Sequence, residues 1–242
     1  PIEAGNTLLF LDEIQNEPRA IRSLRYLYEE MPGLAVIATG SLLEVALREK
    51  GFSFPVGRVS FLYLYPLGFD EFLTAAGDQK LLGELNEVSF NHPLSPAIHN
   101  LAAERFSDYL YLGGMPEVVS RFVRDGSYAR LAPIKEGLLV SFEEDVPKYA
   151  QPAQVPSIQF LIRNAPLFAG QRIKYTRFGN SDYRSREMKR AFELLEQAII
   201  IQRIFPTVQS TPPMQPHLRA SPKLLYLDSG LITHCLNLQP AD

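Results

Sequence analysis

The sequence predicts an α/β fold, in which part of a parallel sheet is followed by a helical bundle and a winged-helix domain. Three observations predict it. Thr7 to Leu11 (TLLFL) and Leu34 to Ala38 (LAVIA) are continuous apolar runs, as expected of strands buried on both faces under covering helices. Residues 97–149 carry helical periodicity, broken at Gly113, Gly114 and Pro116. The last third runs helix, short strand, helix, then a hairpin with a long tip, which is the order of a winged helix. The expected domains are therefore 1–76, 77–150 and 151–242.

Between the two apolar runs, Pro18 to Met31 places Ile21, Leu24, Leu27, Tyr28 and Met31 at helical spacing. Pro18 suits a first helical turn, because its missing N–H would have no partner there anyway. Ser41 to Lys50 reads as a second helix, opened by Ser41 and Glu44 as a capping box. Strand, helix, strand, helix argues for a doubly wound layer. Val59 to Tyr65 (VSFLYLY) reads as a third strand, closed by Pro66, and Phe69 to Ala76 as a short helix. Leu81 to Ile98 is polar with two prolines and reads as a loop or linker.

Further on, Val155 to Leu167 is helical and Arg172 to Tyr175 a short strand. Ser185 to Gln197 is a helix with Met188, Phe192 and Leu195 on one stripe and Arg186, Lys189, Arg190 and Glu193 on the other. Ile199 to Phe205 and Lys223 to Leu227 are the hairpin strands, and the tip between them holds prolines 206, 212, 213, 216 and 222.

Composition excludes several classes. Of 242 residues, 46% are hydrophobic and 21% charged, with net charge -3, so a uniformly basic nucleic-acid binder is excluded. The single Cys235 forms no intrachain disulfide, lacks zinc-ligand spacing and is expected in the core of a helix from Gly230 to Leu238. This suits a reducing cytoplasm. No apolar run approaches membrane-span length, so no membrane partner is expected. The histidines show no metal spacing, and Glu143, Glu144, Asp145 and Lys148 read as an exposed helix end.

The strongest chemical signal is Leu8, Leu9, Phe10 and Leu11 running into Asp12 and Glu13, a Walker B pattern. A buried parallel strand delivers Asp12 at its C-terminal end, where ligands of open α/β sheets bind. There Asp12 can hold magnesium through water, and Glu13 can orient the water that attacks a γ-phosphate. The alternative is a core strand whose acids sit at a helix start, where negative charge is favourable. Thr39 and Ser41 put small polar groups at the end of the next strand, although capping alone also accounts for Ser41. Arg58 precedes the third strand and is either an arginine finger onto a neighbouring subunit's nucleotide or a plain surface arginine.

LLFLDEIQ, VIATGS and PVGRVSFLYLYPLGFDEFL, with the later stretches from Tyr111 to Glu117 and from Ser221 to Gly230, resemble prokaryotic AAA+-superfamily P-loop ATPases. The resemblance is to members that carry an appended, largely uncharacterised C-terminal region. It implies an ATPase core, a helical section, a winged helix and a nuclease-like domain. It also implies that Asp12 is the magnesium residue, Glu13 the catalytic glutamate, Thr39 or Ser41 sensor 1, and Arg58 a candidate finger. The cofactors implied are ATP and Mg2+. On this resemblance the chain reads as a fragment, with the GxxxxGK[ST] loop expected before residue 1 and the nuclease-like domain after residue 242.

The window from 170 to 190 holds seven Lys and Arg against Asp182 and Glu187, a local net of +5. Lys174, Arg177, Arg186, Lys189 and Arg190 are the candidate contacts to double-stranded DNA, since basic residues on the exposed face of a winged helix's second helix would meet phosphates. The plain alternative is a solvated face, or one docked on an acidic neighbour. The reading is thus an ATP-driven switch acting on DNA as a homo-oligomer. Its rival is a non-enzymatic protein-interaction or DNA-binding module with a degenerate nucleotide site.

Overall fold

A computed structural model of the protein describes residue 3 and residues 5–40 and 57–240. β1 (Leu8–Leu11) and β2 (Ala35–Ala38) pair in parallel, with Leu8 opposite Ala35 and Leu11 opposite Ala38. Between them runs α1 (Pro18–Glu30), started by Pro18 and by the Glu17 carboxylate, which accepts from the Arg19 amide at 3.0 Å. Parallel neighbours need such a crossover, because a tight turn can only reverse the chain. Ile21 and Leu24 of α1 bury against Ile14, Leu11 and Val36.

Three expectations about this segment are corrected. Among the described residues the strands are covered on one face only. Leu9, Leu11, Val36 and Ala38 are partly buried, while Leu8, Phe10 and Ile37 on the other side of the pleat are 56%, 55% and 49% exposed. Tyr28, expected on the buried stripe of α1, is also exposed. Val59 to Tyr65 forms no strand: Leu62 and Leu64 are 97% and 100% exposed, and no strand pairs with the segment among the described residues. Aromatic and aliphatic residues favour strands only where a neighbouring edge and a packed face receive them. The expected helix from Ser41 to Lys50 lies outside the described residues.

The helical section comprises α2 (Phe69–Ala76), α3 (Gln79–Asn86), α4 (Pro96–Leu112), α5 (Pro116–Asp125) and α6 (Ala132–Asp145). The expected linker from Leu81 to Ile98 is therefore helix at both ends, with an irregular connection only over residues 87–95. Leu81 is buried, and Pro96 opens α4 instead of breaking it, with the Ser95 hydroxyl accepting from the Ile98 amide at 3.4 Å. Phe72, Leu73, Leu112, Val118, Val119 and Leu131 form the core.

The last third contains α7 (Val155–Asn164), α8 (Ser185–Gln197), an antiparallel hairpin of β3 (Ile201–Ile204) and β4 (Lys223–Tyr226), and α9 (Ser229–Cys235). The expected strand from Arg172 to Tyr175 is reduced to one antiparallel bridge, Arg172 opposite Lys223. Ile173 nevertheless turns inward and is buried. α8 buries Met188, Ala191, Phe192 and Leu195 against Ile201, Leu224, Leu161 and Ile162. Each large apolar side chain buried here contributes about 1.5–3 kcal/mol. Leu139 of α6 and Leu231 of α9 enter the same core, and α9 packs against α4 and α6. Cys235 ends α9 half-buried, so the helix is shorter than expected.

Candidate functional site

The ends of β1 and β2 are laced together by the backbone. The Thr39 amide donates to the Leu11 carbonyl at 2.8 Å, and the Ile14 amide donates to the Thr39 carbonyl at 3.0 Å. This brings two side chains distant in sequence into contact: the Thr39 hydroxyl donates to Asp12 Oδ1 at 2.6 Å. The Glu13 amide donates to the same oxygen at 3.1 Å. Asp12 stays exposed, with Oδ1 oriented by these two donors.

Glu13 stands at φ 49° and ψ 43°, a left-handed conformation that costs a residue with a side chain about 1–2 kcal/mol. Its Oε2 accepts from Gln15 Nε2 at 2.6 Å, and Gln15 is buried. The carboxylate is thus tethered from below by a residue that the sequence reading did not single out. The legible sign was an amide side chain two positions after the acidic pair. Asp12 and Glu13 suit a cation that takes few protein ligands and keeps most of its water, as magnesium does. No group of three or more His, Cys, Asp or Glu with metal-holding geometry occurs among the described residues.

The other candidates fall elsewhere. Ser41 lies outside the described residues. Arg58 Nη2 is 2.7 Å from Glu29 Oε1, and Arg25 shares that carboxylate. Hydrogen bonding from Arg25 holds Glu29 below the usual carboxylate range against the opposing effect of burial, with further help from the charge of Arg25 and from the hydrogen bond and charge of Arg58. Glu29 sits eleven residues along α1 from Pro18. At 1.5 Å per residue that is ~16 Å toward the opposite end of the strands from Asp12, so Arg58 does not reach Asp12 within this chain.

A second convergence was not anticipated. Asp228 is buried, with Oδ2 accepting from the Gly114 amide at 2.6 Å and Oδ1 from the Leu231 amide at 2.9 Å. Burial pushes its pKa up, and those amides oppose the shift. Gly113 has φ +79°, and a Cβ there would stand 2.2 Å from Asp228 Oδ1; one on Gly230 would stand 1.9 Å from the Leu112 carbonyl oxygen. Lys135 is buried beside them, donating to the Tyr111 carbonyl at 2.7 Å with Nζ over the Tyr111 ring. Burial lowers its pKa to about 8, opposed by the charge of Asp228.

Residues 103–242 match a family described as a domain of unknown function (DUF8612). The chain belongs to this family. The DUF8612 region spans most of α4 and continues through α9, so it contains both sides of the Asp228 junction. Residues 2–73 match an AAA domain, which makes the segment bearing Asp12, Glu13 and Thr39 AAA-type and associates it with a family that generally binds ATP with Mg2+. Searches of curated proteins and of solved structures returned no match. No helix among the described residues is long and apolar enough to cross a membrane.

The cationic candidates lie in the DUF8612 region and are exposed: Lys174, Arg177, Arg186, Lys189 and Arg190. Glu187 is occupied locally, its Oε2 accepting from the Arg184 amide at 2.8 Å, and Glu193 lies 3.8 Å from Lys189. Arg203 is removed from the surface charge, with its side chain 8% exposed and clamped by Glu196 and the Tyr175 hydroxyl. Glu143, expected on an exposed helix end, instead holds Arg163 of α7 through both oxygens.

Proposed function

We propose that the AAA-type segment belongs to an ATP-driven switch whose state is passed to the DUF8612 region. The observation that carries this is the 2.6 Å hydrogen bond from Thr39 to Asp12 across the ends of two adjacent parallel strands. Bound magnesium–ATP supplies a phosphoanhydride bond and a charge that changes on cleavage. Asp12 would hold the ion through water. Glu13, beside it, orients the attacking water and takes its proton. Thr39 reports the occupancy of the site through its hydrogen bond to Asp12, and Ser41, two residues later in the sequence, is the other candidate for that role.

Arg58 acts in this reading only in trans, on a neighbouring subunit of a homo-oligomer, and must first leave Glu29. The 242-residue polypeptide contains no GxxxxGK[ST] sequence. Without those backbone amides and that lysine it should not turn over ATP by itself. In a polypeptide that carries the phosphate loop, Glu13→Gln should bind ATP and stop hydrolysis, while Asp12→Ala should weaken magnesium-dependent binding. Parental turnover in both variants removes the assignment. Mixing Arg58→Ala with Glu13→Gln protein should restore activity at shared interfaces, and no rescue removes the finger.

A second component is favoured by the exposed charge of the last third, which we read as a winged helix that associates with double-stranded DNA. Arg186, Lys189 and Arg190 lie on the side of α8 away from Met188, Phe192 and Leu195. Contacts to phosphates through them predict steep weakening with salt and little base preference.

A further inference from the structure

The one-residue bridge between Arg172 and Lys223 has a specific register. The Ile173 amide donates to the Pro222 carbonyl at 2.9 Å, and the Leu224 amide donates to the Gln171 carbonyl at 2.9 Å. Arg172 and Lys223 are therefore a non-hydrogen-bonded antiparallel pair, the position where facing side chains come closest. Both are exposed, as is Lys174 two residues on, while Ile173 and Leu224 between them point into the core. By the alternation of the pleat, all three cations stand on the outward face of the small sheet.

Like charges directly opposite destabilise a sheet. Neither Arg172, Lys174 nor Lys223 has a carboxylate in salt-bridge range among the described residues. None is near in sequence on the hairpin either, because residues 197–227 contain no Asp or Glu. The two arginines of the hairpin differ in fate: Arg219 is exposed at the tip, whereas Arg203 is neutralised inside by Glu196. Because α8 packs on the inner side of the same sheet, this cationic face is separate from the outward face of α8.

We propose that the outward face of the sheet, through Arg172, Lys174 and Lys223, is a second contact surface for the phosphodiester backbone of duplex DNA, distinct from the one on α8. The inference rests on the DNA reading above and extends it to Arg172 and Lys223, which that reading does not use. A polyanion removes the repulsion between Arg172 and Lys223 that the fold leaves standing, and the repeated phosphates of a duplex match a row of cations better than a single anion does.

The test is duplex binding by the full chain, followed by fluorescence anisotropy across a salt series on a short mixed-sequence duplex. Arg172→Ala with Lys223→Ala should lower low-salt affinity about tenfold and flatten the slope of log affinity against log salt by about two, at ~0.9 per lost phosphate contact. The charge-keeping exchange Arg172→Lys with Lys223→Arg should leave both within about twofold, which separates charge from folding. Lys189→Ala with Arg190→Ala is measured alongside. If that pair weakens binding while the sheet pair leaves the slope unchanged, the sheet surface is overturned and α8 stands. Loss only in the sheet pair upholds this surface and removes α8. Parental binding to poly-glutamate as tight as to duplex overturns the choice of ligand, and no duplex binding at low salt overturns both surfaces.

Discussion

Asp12 and Asp228 end nearly identical strings, LLFLD from Leu8 and LLYLD from Leu224, and have opposite fates. Each follows a short strand. Asp12 leaves a parallel pair, remains exposed and receives the Thr39 hydroxyl and the Glu13 amide on one oxygen. Asp228 leaves an antiparallel pair, is buried and spends both oxygens on backbone amides, capping α9 and closing the turn after α4. A carboxylate with an oxygen to spare at a strand end can serve a ligand, while one enclosed by amides serves the fold. The local string does not distinguish them.

The largest expected effect tests that division directly. Asp228→Ala removes a helix cap and leaves the buried Gly114 amide without its acceptor, a loss of about 2–4 kcal/mol of unfolding free energy. Asp12→Ala should stay within about 0.5 kcal/mol, as for surface sites generally. Urea unfolding of the two variants side by side measures the contrast, and equal losses would break it.

Glu13→Gln should act on chemistry alone. In a polypeptide carrying the phosphate loop it should reduce hydrolysis by about 10²-fold or more, in the range of a lost general base, with unfolding unchanged. Single-turnover ATP cleavage reads the first and urea unfolding the second.

The pH response sharpens the buried side of the comparison. Lys135 has a folded pKa near 8 against 10.5 for the free group. Between those values the unfolded chain binds more protons, so stability rises with pH. The gain should reach about 1–2 kcal/mol by pH 9.5 and vanish in Lys135→Met. Above pH 10 the trend should reverse, because burial and the hydrogen bond to Asp108 hold Tyr128 above the usual tyrosine range, and burial does the same to Tyr226. The stability those groups contribute is lost as their unfolded counterparts ionise. Urea midpoints at pH 7, 8.5, 9.5 and 10.5 trace the curve.

Smaller effects are expected at the exposed edges. Thr39→Val deletes the donor to Asp12 and should cost less than about 1 kcal/mol of stability, while slowing hydrolysis with ATP binding retained. Glu193→Gln removes the carboxylate beside Lys189 and should raise duplex affinity a few-fold at low salt, roughly the worth of one exposed ion pair. Anisotropy titration decides the last, and unchanged affinity would place the duplex away from the second half of α8.

The sequence alone determined the elements whose signals are local. Pro18 started α1, the stripe of Met188, Phe192 and Leu195 set α8 in register, and Gly113 and Gly114 ended α4, since capping, periodicity and backbone freedom depend on near neighbours. Asp12, Glu13 and Thr39 were legible as candidates because a strand running into acids is a contiguous pattern. The tertiary structure decided everything that needs two distant segments. It withheld a strand from Val59 to Tyr65, because no strand among the described residues pairs with that segment. It kept only one residue of the expected strand at Arg172, opposite Lys223. It placed Gln15 under Glu13, brought Lys135 onto the Tyr111 carbonyl and Asp228 onto the Gly114 amide in the turn after α4, and sent Arg58 to Glu29 at the far end of α1. Burial and pairing are properties of what the chain brings together, and a string such as LLxLD acquires its role only when its neighbours across the fold are in place.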